Sequence, residues 1–183
     1  MTAERQTGLL ARVEALNATV RGEPAPHDGA RFRDDGHARW ELYREAAGSP
    51  ASHALLLDAV RAETDGPLAS AVVVLVLETA PADERARWVE ALPPEVRDFA
   101  ERRAEEFAVL DALDRCDEGQ ESGGYSAQDL DSWSDWLQLR AARPGRPRRL
   151  LDLLAEHGRT KRIRRTAAEA RATQERSSTR GAR

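Results

Sequence analysis

Apolar positions in this chain recur at three and four residues almost everywhere, with one exception. Residues 68–77 read Leu-Ala-Ser-Ala-Val-Val-Val-Leu-Val-Leu, apolar on all sides, and are expected to lie at the centre of the fold. The valines suit a pleated surface, but a strand needs partners and no second run of this kind exists. An unpaired buried strand would leave backbone groups unsatisfied at about 1–3 kcal/mol each. A helix satisfies them internally. Asp65-Gly66-Pro67 is a fitting entry, because a first-turn proline has no useful N–H to lose. The pattern predicts a central helix over about 67–80, stopped by Pro81.

The remaining elements follow from stripes and breakers. Leu9, Val13, Leu16 and Val20 stand at i, i+4, i+7 and i+11 on a first helix, about 3–20, with Leu10 beside the stripe. Gly22, Pro24, Pro26 and Gly29 mark a loop that holds His27 and Asp28. A helix over about 36–47, capped by Asp34 or Asp35, puts Trp40, Tyr43 and Ala47 on one face. Ser52 opens a helix over about 53–64, expected to pair antiparallel with the central helix because short connections place helices side by side. Asp83 is the expected cap of a short helix, about 84–92, with Trp88 and Leu92 inward. The longest predicted helix, about 94–116, has Val96, Phe99, Ala100, Phe107, Leu110 and Leu113 as its buried stripe. Residues 117–124, rich in glycine and acids, read as a mobile loop. Ser126 caps a helix over about 127–142 carrying Leu130, Trp133, Trp136 and Leu137. Past Pro144-Gly145-Arg146-Pro147, helices over about 147–157 and 160–177 meet at Gly158, and the tail from Ser177 is expected to fray.

Two helices carry Val/Ile-Arg-x-x-Ala-x-x-x-Ala or a close relative. They are Val96-Arg97-Asp98-Phe99-Ala100-Glu101-Arg102-Arg103-Ala104 and Ile163-Arg164-Arg165-Thr166-Ala167-Ala168-Glu169-Ala170. Both resemble the second helix of a HEAT repeat, and Pro94-Glu95-Val96-Arg97 resembles that family's turn and entry. The pair 53–64 and 67–80, joined by Asp65-Gly66-Pro67, is similar to a HEAT unit, with Leu68-Ala69 where Val-Arg would stand. The resemblance implies stacked helix pairs and a scaffold that binds proteins or nucleic acid along a face. The expected fold class is all-α, about eight or nine helices, either an irregular helical bundle or a short HEAT-like α-solenoid.

Charge changes this picture more than composition does. The length, 183 residues, suits a single domain that buries about 70% of its unfolded surface. Residues 1–139 carry 14 Arg against 28 Asp or Glu, a balance of −14. Residues 140–183 carry 14 Arg or Lys against 4 acids, a balance of +10. The chain therefore divides by charge into an acidic helical body, 1–145, and basic C-terminal helices, 146–183, expected to pack on it. The single cysteine, Cys116, excludes an internal disulfide framework and points to a reducing compartment. The polar N-terminus does not read as a secretory signal, and the ten-residue run is half of the roughly 20 a membrane span needs. A cytoplasmic, non-membrane protein is expected.

Catalytic and metal-binding groupings are absent from the pattern. His27, His37, His53 and His157 are widely spaced, and His37 with Glu41 at i, i+4 reads as a surface couple rather than a metal site. No glycine-rich phosphate loop follows a strand. No catalytic residue, metal or cofactor is expected. Tyr125, Trp133 and Trp136 stand among Asp129, Asp131 and Asp135. Such a cluster either receives a basic peptide by aromatic contact and cation–π attraction, or anchors the core. Trp133 is assigned to the core, while Trp136, Asp131 and Asp135 stay candidates for contact. The sharpest signal is basic: Arg148, Arg149, Arg159, Lys161, Arg162, Arg164 and Arg165, with Lys161, Arg164 and Arg165 expected on one face. Guanidinium groups bind carboxylates and phosphates through paired N–H donors. The expected function is a non-catalytic interaction or adaptor protein with a protein partner, using these residues on an anionic surface. Three readings stand beside it: phosphate contact with nucleic acid by the same arginines, docking on the chain's own acidic body, and a solvated helix end.

Overall fold

Several helix starts in this chain are written by short polar side chains. The Asp35 carboxylate accepts from the His37 and Ala38 N–H groups at 2.9 and 3.1 Å, and Asp65 accepts from Leu68 N at 3.0 Å. The Ala38 N–H above all holds the Asp35 carboxyl below its ordinary value. Ser126 and Asp129 form a reciprocal capping box. The computed structural model describes residues 2–22, 28–115 and 125–181, with side chains for 6–22, 31–115 and 125–177. Those residues form eleven α-helices and no strand. They are α1 Thr2–Arg21, α2 Asp28–Asp34, α3 Gly36–Ala47, α4 His53–Ala62, α5 Gly66–Leu77 and α6 Arg85–Glu90. There follow α7 Arg97–Asp114, α8 Ala127–Ser132, α9 Asp135–Ala141, α10 Arg148–His157 and α11 Lys161–Gly181, with 3-10 turns at Pro50–Ser52 and Pro94–Val96.

The chain is all-α, and several expectations are corrected in detail. A helix, α2, occupies part of the stretch read as loop. The predicted helix 127–142 is two, because Trp133 is extended (φ −76°, ψ 140°) and Ser134 caps a fresh start by accepting from Leu137 N at 3.1 Å. Glu84, not Asp83, stands at the α6 N-cap. At 18 residues α7 is shorter than α1, with 20, and α11, with 21. The tail remains helical to Gly181. Phe99 is 49% exposed rather than part of the α7 stripe. His27, Cys116 and the loop 117–124 lie outside the described residues.

Packing divides the chain into two compact units, 1–107 and 108–183, with the boundary inside α7. The division expected at residue 145 follows charge. It does not follow packing, because α8 packs on α10 and α9 on α11, within the second unit.

In the first unit α1 packs most extensively on α4, and α3 on α5. Leu16, Leu42, Leu56, Val60, Val72 and Val76 are fully buried there. The pair expected side by side, α4 and α5, is thus split between two larger partners. The cause sits at Glu63, extended at φ −62°, ψ 132°, whose carboxylate turns back into the fold. Arg39 of α3 meets it with two bonds, Nε at 2.9 Å and Nη2 at 3.2 Å, and the Tyr43 hydroxyl donates at 2.9 Å. Thr64 N and Asp65 N donate to the same carboxylate at 2.9 and 3.0 Å. Five donors satisfy a carboxylate whose side chain is 0% exposed, and they redirect the chain onto α3. The central helix is also less enclosed than expected: Leu68, Val74 and Leu75 are half-buried and Ala71 is exposed.

In the second unit α10 and α11 form an antiparallel hairpin. Asp152 pairs with Arg171 at 2.9 Å, and four residues back on α10 and four forward on α11, Arg148 pairs with Glu175 at 2.7 Å. That regular step keeps the helices adjacent along all of α10. Leu150, Leu151 and Leu154 of α10 and Ile163, Ala167 and Ala170 of α11 are all buried. Gly158 makes the turn because no Cβ fits there: one would strike the Leu154 carbonyl and lie 2.8 Å from Ile163 Cγ2.

Candidate functional site

The seven basic residues marked in the sequence separate into two groups. Arg159 is consumed at the α10–α11 turn. Its guanidinium donates to the Trp133 carbonyl at 2.7 Å, the Asp131 carbonyl at 2.9 Å and the Asp135 carboxylate at 3.0 Å. The break between α8 and α9 is what leaves those carbonyls available, since the last carbonyls of a helix lack intrahelical partners. Arg164 folds back on the Gly158 carbonyl at 2.6 Å. Arg148 is held by Glu175, and Arg165 leans on Glu169 at 3.6 Å in a solvent-exposed pair. The side chains of Arg149, Lys161 and Arg162 are exposed and make no hydrogen bond or ion pair among the described residues.

Lys161, Arg162 and Arg165 share the solvent side of the first turns of α11. Arg149 stands at the far end of the hairpin, about 12 Å along the α10 axis from its last residue. The compact patch expected from Lys161, Arg164 and Arg165 therefore keeps Lys161 and Arg165, loses Arg164 to the turn, and gains Arg162.

The aromatic–acidic cluster and the basic stretch meet each other. Asp135 and Asp131 both hold Arg159, the first by its side chain and the second by its carbonyl. Trp133 is 8% exposed with Tyr125 edge-on at 5.6 Å, as its core assignment requires. Trp136 is half-buried, with the Arg140 guanidinium 5.1 Å from its ring centroid, so its cation–π contact is made within the chain.

Sequence reasoning passed over the residues that lock this unit. Gln138, 1% exposed, donates Nε2 to the Leu130 carbonyl at 2.7 Å and accepts from Arg159 N at 2.9 Å. Arg146, 8% exposed, reaches the Leu110 carbonyl at 3.2 Å and the Asp114 carboxylate. Gly145 lets it do so with φ +89°, a conformation that favours glycine. The chain signal for Arg146 was its place beside that glycine, between two prolines.

Other chemistry is sparse. No group of three or more His, Cys, Asp or Glu among the described residues is arranged to hold a metal ion. His37 and Glu41 approach to 4.0 Å on an exposed face. A cleft of about 700 Å³ in the first unit is lined by Gly8, Arg12, Asp58, Arg61, Thr64 and Glu95, among others. Its arginines are engaged locally, Arg12 on the Gly8 carbonyl at 2.8 Å and Arg61 on Asp58 at 3.4 Å. No helix of the described residues is long and apolar enough to cross a membrane. No family model, no curated protein and no solved structure matches the chain.

Proposed function

We propose that this is a non-catalytic interaction protein that presents Lys161, Arg162 and Arg165 of α11, with Arg149 of α10, to the acidic surface of a protein partner. The observation that carries the reading is the contrast around the start of α11. Arg159 and Arg164 are turned inward onto carbonyls, while Lys161 and Arg162 beside them reach solvent with no partner among the described residues. Exposed cations keep their full capacity for charge-assisted bonds. A protein partner is favoured over nucleic acid because acids are interspersed on the same hairpin: Asp152, Glu156, Glu169 and Glu175. Three of them already neutralise Arg171, Arg165 and Arg148, which leaves a surface of mixed charge that suits a protein partner. The antiparallel α10–α11 pair, with Ile163-Arg164 on its second helix, supports a helical scaffold of HEAT-like character, and the single cysteine supports a reducing, cytoplasmic setting.

The test compares the full-length protein with a Lys161→Ala/Arg162→Ala/Arg165→Ala variant by fluorescence anisotropy, using a labelled poly-glutamate peptide and mixed-sequence DNA and RNA duplexes at two salt concentrations. Peptide binding that the triple substitution weakens about tenfold is the expected result. Preferential duplex binding, falling linearly on a log–log salt plot, would make phosphate the target instead. Binding of neither probe at low salt overturns the proposal.

A further inference from the structure

The most apolar helix of the chain is not covered on all sides. At about 100° per residue, Ala69, Ser70, Val72, Val73, Val76 and Leu77 fill one arc of α5 and are buried. The opposite arc, about 120° wide, holds exposed Pro67 and Ala71 with half-buried Leu68, Val74 and Leu75, and ends at exposed Glu78. No charged residue interrupts it from Gly66 to Leu77. Along the chain on either side of this ridge the exposed charges nearest in sequence are acids. No Lys or Arg occurs between Arg61 and Arg85, while Asp65, Glu78, Asp83 and Glu84 are all exposed. Residues 1–107 as a whole carry 13 Arg against 20 acids, a balance of −7.

From this geometry we infer that the α5 ridge is a second docking surface, and that its occupant is an amphipathic helix with an apolar stripe of about three turns flanked by basic residues. Ala71 lies mid-ridge with bulkier Leu68, Val74 and Leu75 around it, so a partner helix can approach closely there and be gripped on either side. The acids at both ends of the ridge supply the complementary charge, which steers and orients the occupant. A membrane surface rich in anionic lipid is disfavoured by the same acids. This surface is independent of the cationic face of α11. Together the two would let one chain bridge partners of opposite charge.

The probe is a labelled peptide with leucines at i, i+3, i+4 and i+7 and lysines at both ends, titrated into the full-length protein. A peptide of the same composition with scrambled order controls for charge alone. Saturable binding of the patterned peptide, weakened at least about tenfold by Ala71→Asp and several-fold by Asp83→Lys, is expected. Both positions are exposed, so the melting temperature should hardly move, and that measurement separates lost docking from lost fold. Equal binding of patterned and scrambled peptides overturns the inference, as does binding unaffected by Ala71→Asp or none up to about 100 μM. Self-association in sedimentation that Ala71→Asp abolishes would also overturn it, making a second copy the occupant. The Lys161/Arg162/Arg165 variant should bind this probe like wild type, so failure here leaves the cationic face of α11 standing.

Discussion

At the turn between α4 and α5 an arginine is buried against a carboxylate; at the turn between α10 and α11 another grips mainly carbonyls from the surface. The Arg39 and Glu63 side chains are 7% and 0% exposed, and every carboxylate lone pair is spoken for by Arg39, Tyr43 or the backbone. The Arg159 side chain is 46% exposed and its carboxylate partner, Asp135, 56%. What is buried at the second turn is an uncharged amide, Gln138. The same residue type thus does two jobs. Deep in the first unit its charge cannot be removed singly without stranding a buried carboxylate, whereas at the surface water can replace much of what it offers.

The largest expected effect tests that asymmetry. Arg39→Ala removes one partner of the buried pair, strands the Glu63 carboxylate and should cost about 3–5 kcal/mol in chemical denaturation. Arg159→Ala should cost under about 1 kcal/mol. Comparable losses for the two would break the comparison.

Gln138→Leu comes next, because it orphans Arg159 N and the Leu130 carbonyl, at about 2 kcal/mol. Gly158→Ala should cost a similar amount, about 2 kcal/mol, because its Cβ would drive into the Leu154 carbonyl and Ile163. A silent Gly158→Ala in thermal unfolding would mean that the turn relaxes and is not the rigid end of the hairpin.

Tyr43→Phe sharpens the first turn at smaller cost, about 1 kcal/mol near neutral pH. Burial first, then the Glu63 charge, pushes the Tyr43 hydroxyl far above the ordinary tyrosine value of 10.0. A folded-state value above the unfolded one means that this stability is complete below pH 10 and drains away as pH rises toward the folded value. Wild type should therefore lose stability more steeply than Tyr43→Phe when unfolding is followed between pH 9 and 11.

The smallest effect belongs to the Asp129 capping box. The Ser126 N–H first, and the Ser126 hydroxyl with it, hold the Asp129 carboxyl below its ordinary value of 3.8. Its contribution is present above that value and lost as pH falls through the depressed one. Asp129→Asn should flatten the acid side of the stability profile, read by melting temperature at pH 7 and pH 3, with little change in the rest.

Helix existence was legible in this sequence because it is local. Spacing of Leu9, Val13 and Leu16 put the α1 stripe in place, and Asp35, Asp65 and Ser126 wrote their own caps. The break at Trp133 was not legible, since Ser132 and Ser134 are equally at home on an exposed helix face. Phe99 was misplaced because apolar spacing says which residues share a face and not whether a neighbour covers it.

The candidate site shows the same limit. Counting arginines located the basic hairpin, but nothing in their spacing says that Arg159 and Arg164 turn inward while Lys161 and Arg162 do not. That sorting depends on which helix ends offer unsatisfied carbonyls nearby.

Alone, the sequence determined the all-α class, most helix positions and the uneven distribution of charge, because each rests on interactions within a few residues. Only the tertiary structure decided which charges are buried or already paired, where the two units divide, and that the most apolar helix keeps one arc uncovered. Those outcomes depend on contacts between residues far apart in the chain, and a single sequence carries no record of such distances.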